Sequence, residues 1–156
     1  MKKRKKIIII ILLLSILSLF DLALFLKNTS IFSELSEISI GDTSDIVEII
    51  IPEDMISPYG LTYYLKNNDD SPVTYGAAEY IERYIRGNWY RIPMFSGGNN
   101  VIAIKYGISK GEEREYSINW IHSYGKLYKG RYRIVKKMRR VSDGYGFWAV
   151  GEFEVK

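Results

Sequence analysis

The chain has 156 residues, of which 47% are hydrophobic and 14% aromatic, with 13 tyrosines and no cysteine. Without cysteine it forms neither a disulfide nor a thiolate metal site, so buried apolar surface must supply its stability. Residues 2–6 contribute five of the positive charges behind the formal net charge of +4, and from residue 28 onward 16 Lys or Arg oppose 17 Asp or Glu. A domain this close to neutral gives no argument for nucleic-acid binding, and we expect no nucleic-acid partner.

Residues 1–27 form a leader that is first basic and then apolar. Its apolar run covers residues 7–26 and is interrupted by Asp21. As a helix this run would be about 30 Å long, which is enough to cross a bilayer. Because the basic flank comes first, we predict a single-pass signal anchor in the cell membrane, with a cytoplasmic amino terminus and an extracytoplasmic remainder.

A cleaved signal peptide, with its apolar region ending near Phe20, is the alternative, and the rest of the chain would then be secreted. No pair of small residues typical of a cleavage site follows the apolar run. Asp21 disfavours the anchor, because a carboxylate in hydrocarbon costs about 2.5 kcal/mol or more unless it lies near the interface. A buried helix of a soluble protein is disfavoured because the segment has no polar face.

The rest of the chain divides into a polar, serine-rich spacer at residues 28–44 and one predicted β domain at residues 45–156. Within the domain, β-branched and aromatic segments alternate with turn residues. The predicted strands are residues 46–51, 60–67, 73–85, 89–93, 101–106, 116–121, 131–138 and 147–155. The third is ambiguous between strand and helix. Seven or eight strands with no periodic helix between them predict an all-β fold, an antiparallel sandwich of the immunoglobulin-like type.

The most informative stretch is residues 116–136, which predicts a strand, a turn and a second strand. Leu127, the turn glycine Gly130 and Tyr132 lead into alternating apolar residues. This order is typical of the entry to the penultimate strand of a β-sandwich, where the tyrosine hydroxyl bonds backward across the corner. We therefore expect Tyr132 in the core, together with Trp89 and Trp120.

Five segments occur in a distinctive order: YGLTYYLKNND (59–69), YIERYIRGNWYRIP (80–93), GEEREYSINW (111–120), YGKLYKGRYRIVK (124–136) and FWAVGEFEV (147–155). Together they resemble a bacterial immunoglobulin-like domain family of Gram-positive bacteria, whose members are small exported proteins, commonly lipoproteins or membrane-anchored. The resemblance covers about residues 45–156 and implies a fold and an exported location. It implies no activity, since such sandwiches carry unrelated functions. The chain lacks the cysteine that lipoprotein members carry after the leader.

Candidate catalytic and metal-binding residues are few. His122 is the only histidine, and no serine has a recognisable nucleophile context. Glu112, Glu113 and Glu115 cluster at a predicted turn and strand start, where carboxylates are normally solvated. The aspartates in the predicted loops, Asp69, Asp70 and Asp143, lack calcium-loop spacing. We predict no catalytic residue, no metal, no cofactor and no small-molecule substrate.

Charge is segregated along the domain. Residues 28–85 hold 11 acidic and two basic residues, whereas residues 126–140 hold eight basic residues and no acidic one. The basic strip consists of Lys126, Lys129, Arg131, Arg133, Lys136, Lys137, Arg139 and Arg140. Either the acidic strands neutralise this strip in the fold, or the strip binds an anionic partner such as a wall polymer or membrane headgroups. Tyr124, Tyr128 and Tyr145 are candidate loop aromatics for carbohydrate stacking.

These features predict a membrane-anchored, extracytoplasmic immunoglobulin-like module that mediates protein or cell-envelope contacts without catalysis. The partner would be an unknown envelope protein or wall polymer. A binding module for cell-wall carbohydrate or an anionic polymer, using the basic strip and the loop aromatics, is the alternative.

Overall fold

A computed structural model describes residues 2–27, 34–95 and 105–156 of the chain. It begins with helix α1 (Lys2–Lys27). The strands are β1 (Glu34–Leu35), β2 (Val47–Ile50), β3 (Ile56–Ser57), β4 (Gly60–Asn67), β5 (Val73–Gly76), β6 (Tyr80–Ile85), β7 (Asn88–Arg91), β8 (Lys105–Ile108), β9 (Glu113–Asn119), β10 (Gly130–Arg140) and β11 (Gly146–Val155). Two 3-10 helices, Ile40–Asp42 and Glu53–Met55, lie between the early strands.

The strands form two antiparallel sheets that pack as a sandwich. In the first sheet β10 is central, with β11 along one side; on its other side lie β6, β7 and β1 at one end and β5 and β8 at the other. In the second sheet β4 is central, with β2 and β3 on one side and β9 on the other. The predicted all-β, immunoglobulin-like sandwich is confirmed.

The core follows the period-two alternation of the central strands. The predicted inward face of β11 is confirmed, since Phe147, Ala149, Gly151, Phe153 and Val155 are all buried. The neighbouring strand β10 adds Tyr132, Ile134 and Met138 to this inward face, and β4 of the second sheet contributes Leu61, Tyr63 and Leu65 to the same core. Burial of these side chains is the main favourable term in holding the two sheets together.

Near the middle of the chain the structure differs from the predicted strands and core residues. The ambiguous segment at 73–85 consists of two strands, β5 and β6, separated by residues 77–79. The strand predicted at 101–106 falls partly outside the described residues, and its described part is the start of β8. Trp120 and Tyr132 are buried as expected, but the prediction that Trp89 is a core residue is wrong. Trp89 is half-buried on β7, where arginines cover its ring.

The described part of the predicted spacer is packed against the sandwich. Glu34 and Leu35 pair with β7, and Ile38 is buried. Thr43 forms a parallel bridge with Trp148 of β11. Residues 34–44 therefore contact both β7 and β11, while residues 28–33 lie outside the described structure.

Helix α1 carries apolar side chains around its whole circumference. From residue 8 to residue 22, every large apolar side chain is between 51% and 63% exposed. Within the described residues, no helix combines the length and hydropathy that a membrane span requires.

Candidate functional site

The structure places the eight basic residues of the strip in three different environments. Two are buried, Arg133 and Lys136. Two others form ion pairs nearer the surface, Arg131 and Arg140. The remaining four are exposed: Lys126, Lys129, Lys137 and Arg139. The strip is therefore not one continuous basic surface.

Arg133 belongs to a buried charge cluster around Glu82 of β6. Its Nε donates to Glu82 Oε2 at 2.8 Å, and its Nη2 lies 2.7 Å from the same oxygen. The Ser36 hydroxyl donates to Glu82 Oε1 at 2.8 Å, and Arg91 lies 3.7 Å from that oxygen. Glu82 is fully buried, and a buried carboxylate is tolerated only with such partners. Arg133 is only 7% exposed and is already paired within the fold, which corrects its assignment to a binding strip.

Lys136 points between the two sheets because it shares the inward face of β10. Its Nζ lies 2.9 Å from Glu79 Oε2 and 3.4 Å from the Ala78 carbonyl oxygen. The ammonium group also lies 5.4 Å from the centre of the Tyr75 ring. With 2% of its surface exposed, Lys136 cannot contact an external polymer, which corrects its assignment as well.

Arg131 forms an ion pair at the domain surface. Its Nε donates to Glu152 Oε2 of β11 at 3.0 Å, and this hydrogen bond raises the pKa of Arg131. The guanidinium group also lies over the ring of Tyr84 at 5.0 Å. Exposed ion pairs of this kind contribute little to stability, but this one neutralises Arg131.

Arg140 pairs with two aspartates at the other end of β10. Its Nη1 donates to Asp69 Oδ2 at 3.1 Å, and its Nη2 lies 3.0 Å from Asp143 Oδ2. The backbone N–H of Tyr145 and the Arg140 guanidinium together lower the pKa of Asp143. Of the two interpretations of the charge segregation, neutralisation by the acidic residues 28–85 accounts for Arg133, Lys136 and Arg140, whereas Arg131 pairs with Glu152 outside that range.

The four exposed cations are distributed over two places. Lys137 and Arg139 point outward from β10, and Lys137 Nζ lies 5.8 Å from the Trp148 ring. Lys126 and Lys129 lie in the loop before β10 and are exposed to solvent. Neither of these two lysines pairs with a carboxylate of the residues that the structure describes. The loop lysines are thus available to an external anion.

The predicted tyrosine corner is present. The Tyr132 hydroxyl donates to the Tyr128 carbonyl oxygen at 2.6 Å. Tyr132 is fully buried, and this burial raises its pKa to about 12. Its ring stacks on Phe153 with 5.6 Å between centroids. This hydrogen bond and ring contact fix the loop that carries Lys126 and Lys129.

The three candidate loop aromatics do not form one platform. Tyr124 is 4% exposed, because the turn after Trp120 directs it into the core, and its assignment to a stacking surface is wrong. Tyr128 is half-buried before the start of β10. Tyr145 is 45% exposed in the turn after β10 and stacks on Phe147. At about 3.3 Å per residue, the length of β10 separates Tyr128 and Tyr145 by roughly 30 Å.

Two clefts lie near these charges. The first has a volume of about 740 Å³ and lies between residues 38–49 and the first sheet, with Tyr84, Trp89, Arg133 and Glu152 among its lining residues. It is open and contains both charges and aromatic rings.

The second cleft has a volume of about 110 Å³ and lies between the sheets beside Lys136. The buried hydroxyl of Tyr63 has no hydrogen-bond partner among the described residues. The neighbouring hydroxyls of Tyr75 and Tyr116 bond to each other at 2.6 Å. A crevice of this volume is large enough for a few water molecules.

The candidate acid–base and metal residues do not converge in the described structure. No group of three or more His, Asp or Glu side chains in the described ranges is arranged to hold a metal ion. Glu112 accepts from the Ser109 backbone N–H at 2.8 Å and from Arg114 Nε at 3.1 Å, and these contacts lower its pKa. A lowered pKa keeps Glu112 ionised, whereas a general acid at neutral pH needs a raised one.

Sequence reasoning missed the acidic partners on β6 and beside it. In the sequence, Glu82 and Glu79 belong to the acidic early strands, far from Arg133 and Lys136. One signal was present, since Glu82 lies within a six-residue strand whose other members are mostly apolar or aromatic. A carboxylate in the middle of such a strand indicates a buried partner.

Comparison with known proteins adds one result to this geometry. A family model described as Bacterial Ig-like domain matches residues 46–148. The match begins at β2 and ends within β11, so it includes the central strands of both sheets. No curated protein matches the chain.

Proposed function

This chain belongs to the bacterial Ig-like domain family, and from that membership we propose that it is a non-catalytic extracellular module, held at the cell membrane by α1, that mediates protein or envelope contacts. The family supports the non-catalytic, extracellular part of the proposal. Membrane attachment, with the amino terminus in the cytoplasm, rests on the leader and on the exposed apolar surface of α1.

The observation that carries the proposal is the exposure of α1. Its apolar side chains from residue 8 to residue 22 are more than half exposed. A helix that is apolar all round requires a nonpolar environment. The five basic residues before it favour retention of the amino terminus in the cytoplasm. The sandwich would then lie outside the cell.

Fractionation of cells that express the full chain tests the attachment. We expect the protein in the membrane fraction and digestion of the sandwich by protease added to intact cells. Ile11→Lys combined with Leu14→Lys should release the protein, because each charge at the centre of a membrane helix costs about 2.5 to 3.5 kcal/mol. Arg139→Ala, an exposed change in the sandwich, is the matched control. A wild-type protein found in the cytosol and protected from protease would contradict the proposal.

Mass spectrometry of the mature amino terminus distinguishes the anchor from a cleaved signal peptide. An intact terminus is expected for the anchor. A terminus after residue 20 would instead indicate a secreted domain, and the membrane part of the proposal would then be abandoned.

A second candidate function is binding of an anionic wall polymer, and the exposed Lys126, Lys129 and Arg139 favour it. The measurement is a pull-down on purified wall polymer at two salt concentrations. Binding that weakens with salt is expected from a contact made by lysine and arginine. Failure to bind at both concentrations would remove this candidate.

A further inference from the structure

Three loop segments meet at one end of the sandwich and are bonded to one another. The Pro58 carbonyl oxygen accepts from the Leu127 N–H at 2.8 Å and from Trp120 Nε1 at 3.0 Å. The Phe95 N–H donates to the Ser123 carbonyl oxygen at 2.7 Å. These bonds join residues 58–59, 94–95 and 120–129 into one continuous surface.

This surface exposes large apolar side chains close together. Tyr59 is 44% exposed, Phe95 50% and Ile121 43%. Tyrosine and phenylalanine both have a large apolar ring, and tyrosine also has a polar hydroxyl group. Such side chains suit the boundary between hydrocarbon and water. The helix-proximal surface is defined here as Tyr59, Phe95, Ile121, Lys126 and Lys129.

The charge of the helix-proximal surface is positive. Residues 120–130 contain Lys126 and Lys129 and no carboxylate. Glu53, on the neighbouring 3-10 helix, lies 3.0 Å from Lys156 Nζ, and the two lysines outnumber the Asp21 carboxylate of α1, whose charge reaches Tyr128. Apolar side chains next to available lysines form a surface that fits an anionic lipid headgroup layer.

The loop that carries Lys126 and Lys129 also touches α1 through Tyr128. The Tyr128 hydroxyl, from the segment that also carries Lys126 and Lys129, donates to the Asp21 carbonyl oxygen at 3.1 Å. Asp21 lies near the carboxyl end of the apolar run, where a helix inserted amino terminus inward would leave the hydrocarbon. The contact therefore directs this end of the sandwich toward the membrane surface and the opposite end, with Tyr145, away from it.

We propose that the helix-proximal surface rests on the outer leaflet of the membrane and binds anionic lipid headgroups. This inference rests on the proposed attachment by α1. Lys126 and Lys129 contact headgroup phosphates, while Tyr59, Phe95 and Ile121 enter the interface. Each lysine near an anionic surface changes the ratio of docked to undocked domain by about fivefold, so the pair together contributes about 25-fold.

The absence of cysteine from the chain makes a site-specific probe simple. The full chain is reconstituted into phosphatidylcholine vesicles with and without phosphatidylglycerol, carrying a nitroxide label at Ile121→Cys. Tyr145→Cys, equally exposed at the opposite end, is the matched control. Electron paramagnetic resonance then compares collision of each label with oxygen, which partitions into lipid, and with a water-soluble nickel chelate.

In vesicles with phosphatidylglycerol we expect the label at residue 121 to collide mainly with oxygen and the label at residue 145 mainly with the nickel chelate. Lys126→Ser combined with Lys129→Ser should return the label at residue 121 to water, as should high salt. A label at Tyr59→Cys should behave like that at residue 121, which guards against a local effect of one substitution.

The outcomes separate the two proposals. A chain that does not float with vesicles contradicts the attachment by α1. A chain that floats, but whose label at residue 121 is as accessible to the nickel chelate as that at residue 145, overturns the docking alone. If the label at residue 121 is shielded equally with and without phosphatidylglycerol, the proposed binding of anionic headgroups is contradicted. If shielding of the label at residue 121 grows with the ratio of protein to lipid, a second copy of the chain covers this surface instead. That result also overturns the docking proposal.

Discussion

Arg133 and Lys136 in β10 and Lys126 and Lys129 in the preceding loop are close in sequence and carry the same charge, but their surroundings differ. The two in β10 are buried against Glu82 and Glu79. The two in the loop are exposed and lack a carboxylate partner among the described residues. Cations within one short stretch thus stabilise the interior in one place and remain available to a ligand in the other.

The strand and the loop differ because a central strand has neighbours on both faces. On β10, Lys136 faces the second sheet, and Arg133 faces outward beneath residues 34–44 and the aromatic residues of β7. The loop before β10 has packed residues on one side only. The environment of a charge therefore depends on the layers of structure that cover it, and substitutions in the strand and in the loop should differ in their effects.

Arg133→Ala should reduce the free energy of unfolding by about 3 kcal/mol, because it leaves Glu82 buried without its main partner. Urea unfolding of the detergent-solubilised full chain, followed by tryptophan fluorescence, measures the change. Adding Glu82→Ala should cost less than the sum of the two single changes. The exposed Arg139→Ala should stay within about 0.5 kcal/mol. Equal losses in the free energy of unfolding for Arg133→Ala and Arg139→Ala would contradict the buried role of Arg133.

Gly151→Ala should reduce the free energy of unfolding by about 1 to 3 kcal/mol, because overpacking forces the two sheets apart. A Cβ atom on Gly151, which pairs with Ile134 of β10, would lie 2.5 Å from Ile49 Cγ2. At Gly76 the nearest atom to such a Cβ would be 4.0 Å away, so Gly76→Ala is the control. Similar melting temperatures for the two variants would mean that the sheets are less closely packed here.

Tyr132→Phe should reduce the free energy of unfolding by about 1 kcal/mol through loss of the corner hydrogen bond. Tyr145→Phe, whose ring is exposed, should have no measurable effect. Burial raises the pKa of Tyr132 from 10.0 to about 12, so the folded state holds this proton more tightly.

The contribution of the protonated Tyr132 hydroxyl to the free energy of unfolding is therefore fully present below about pH 10. It is lost as the pH rises toward about 12. Urea midpoints measured over this pH range for the wild type and Tyr132→Phe test this. The difference between them should shrink as the pH rises. A constant difference would show that the hydroxyl does not titrate in the unfolded chain as expected.

Lys126→Ser combined with Lys129→Ser should have the smallest effect on folding, within about 0.5 kcal/mol, because both side chains are exposed. The same variant should lose the contact with phosphatidylglycerol vesicles. Loss of vesicle binding without loss of stability would show that the loop lysines, unlike Arg133 and Lys136, serve binding and not folding. A large loss of stability would mean that these lysines, like Arg133 and Lys136, stabilise the folded domain.

The sandwich and its tyrosine corner can both be predicted from local sequence patterns. Alternation along residues 147–155 identified the inward face of β11, and the spacing of Leu127, Gly130 and Tyr132 identified the tyrosine corner. Both patterns are local, since the period of a strand and the chemistry of a turn are set by neighbouring residues. The apolar run of the leader is likewise visible in the sequence.

The availability of each cation in residues 126–140 to a partner depends instead on contacts between distant segments. Glu82 and Arg133 are 51 residues apart in sequence and meet because β6 pairs with β10. Likewise, Tyr124 has the neighbours of a loop residue in the sequence, but the turn after Trp120 buries it. Partners distant in sequence are chosen by strand pairing and by the packing of one sheet on another, and neither is encoded in any short segment.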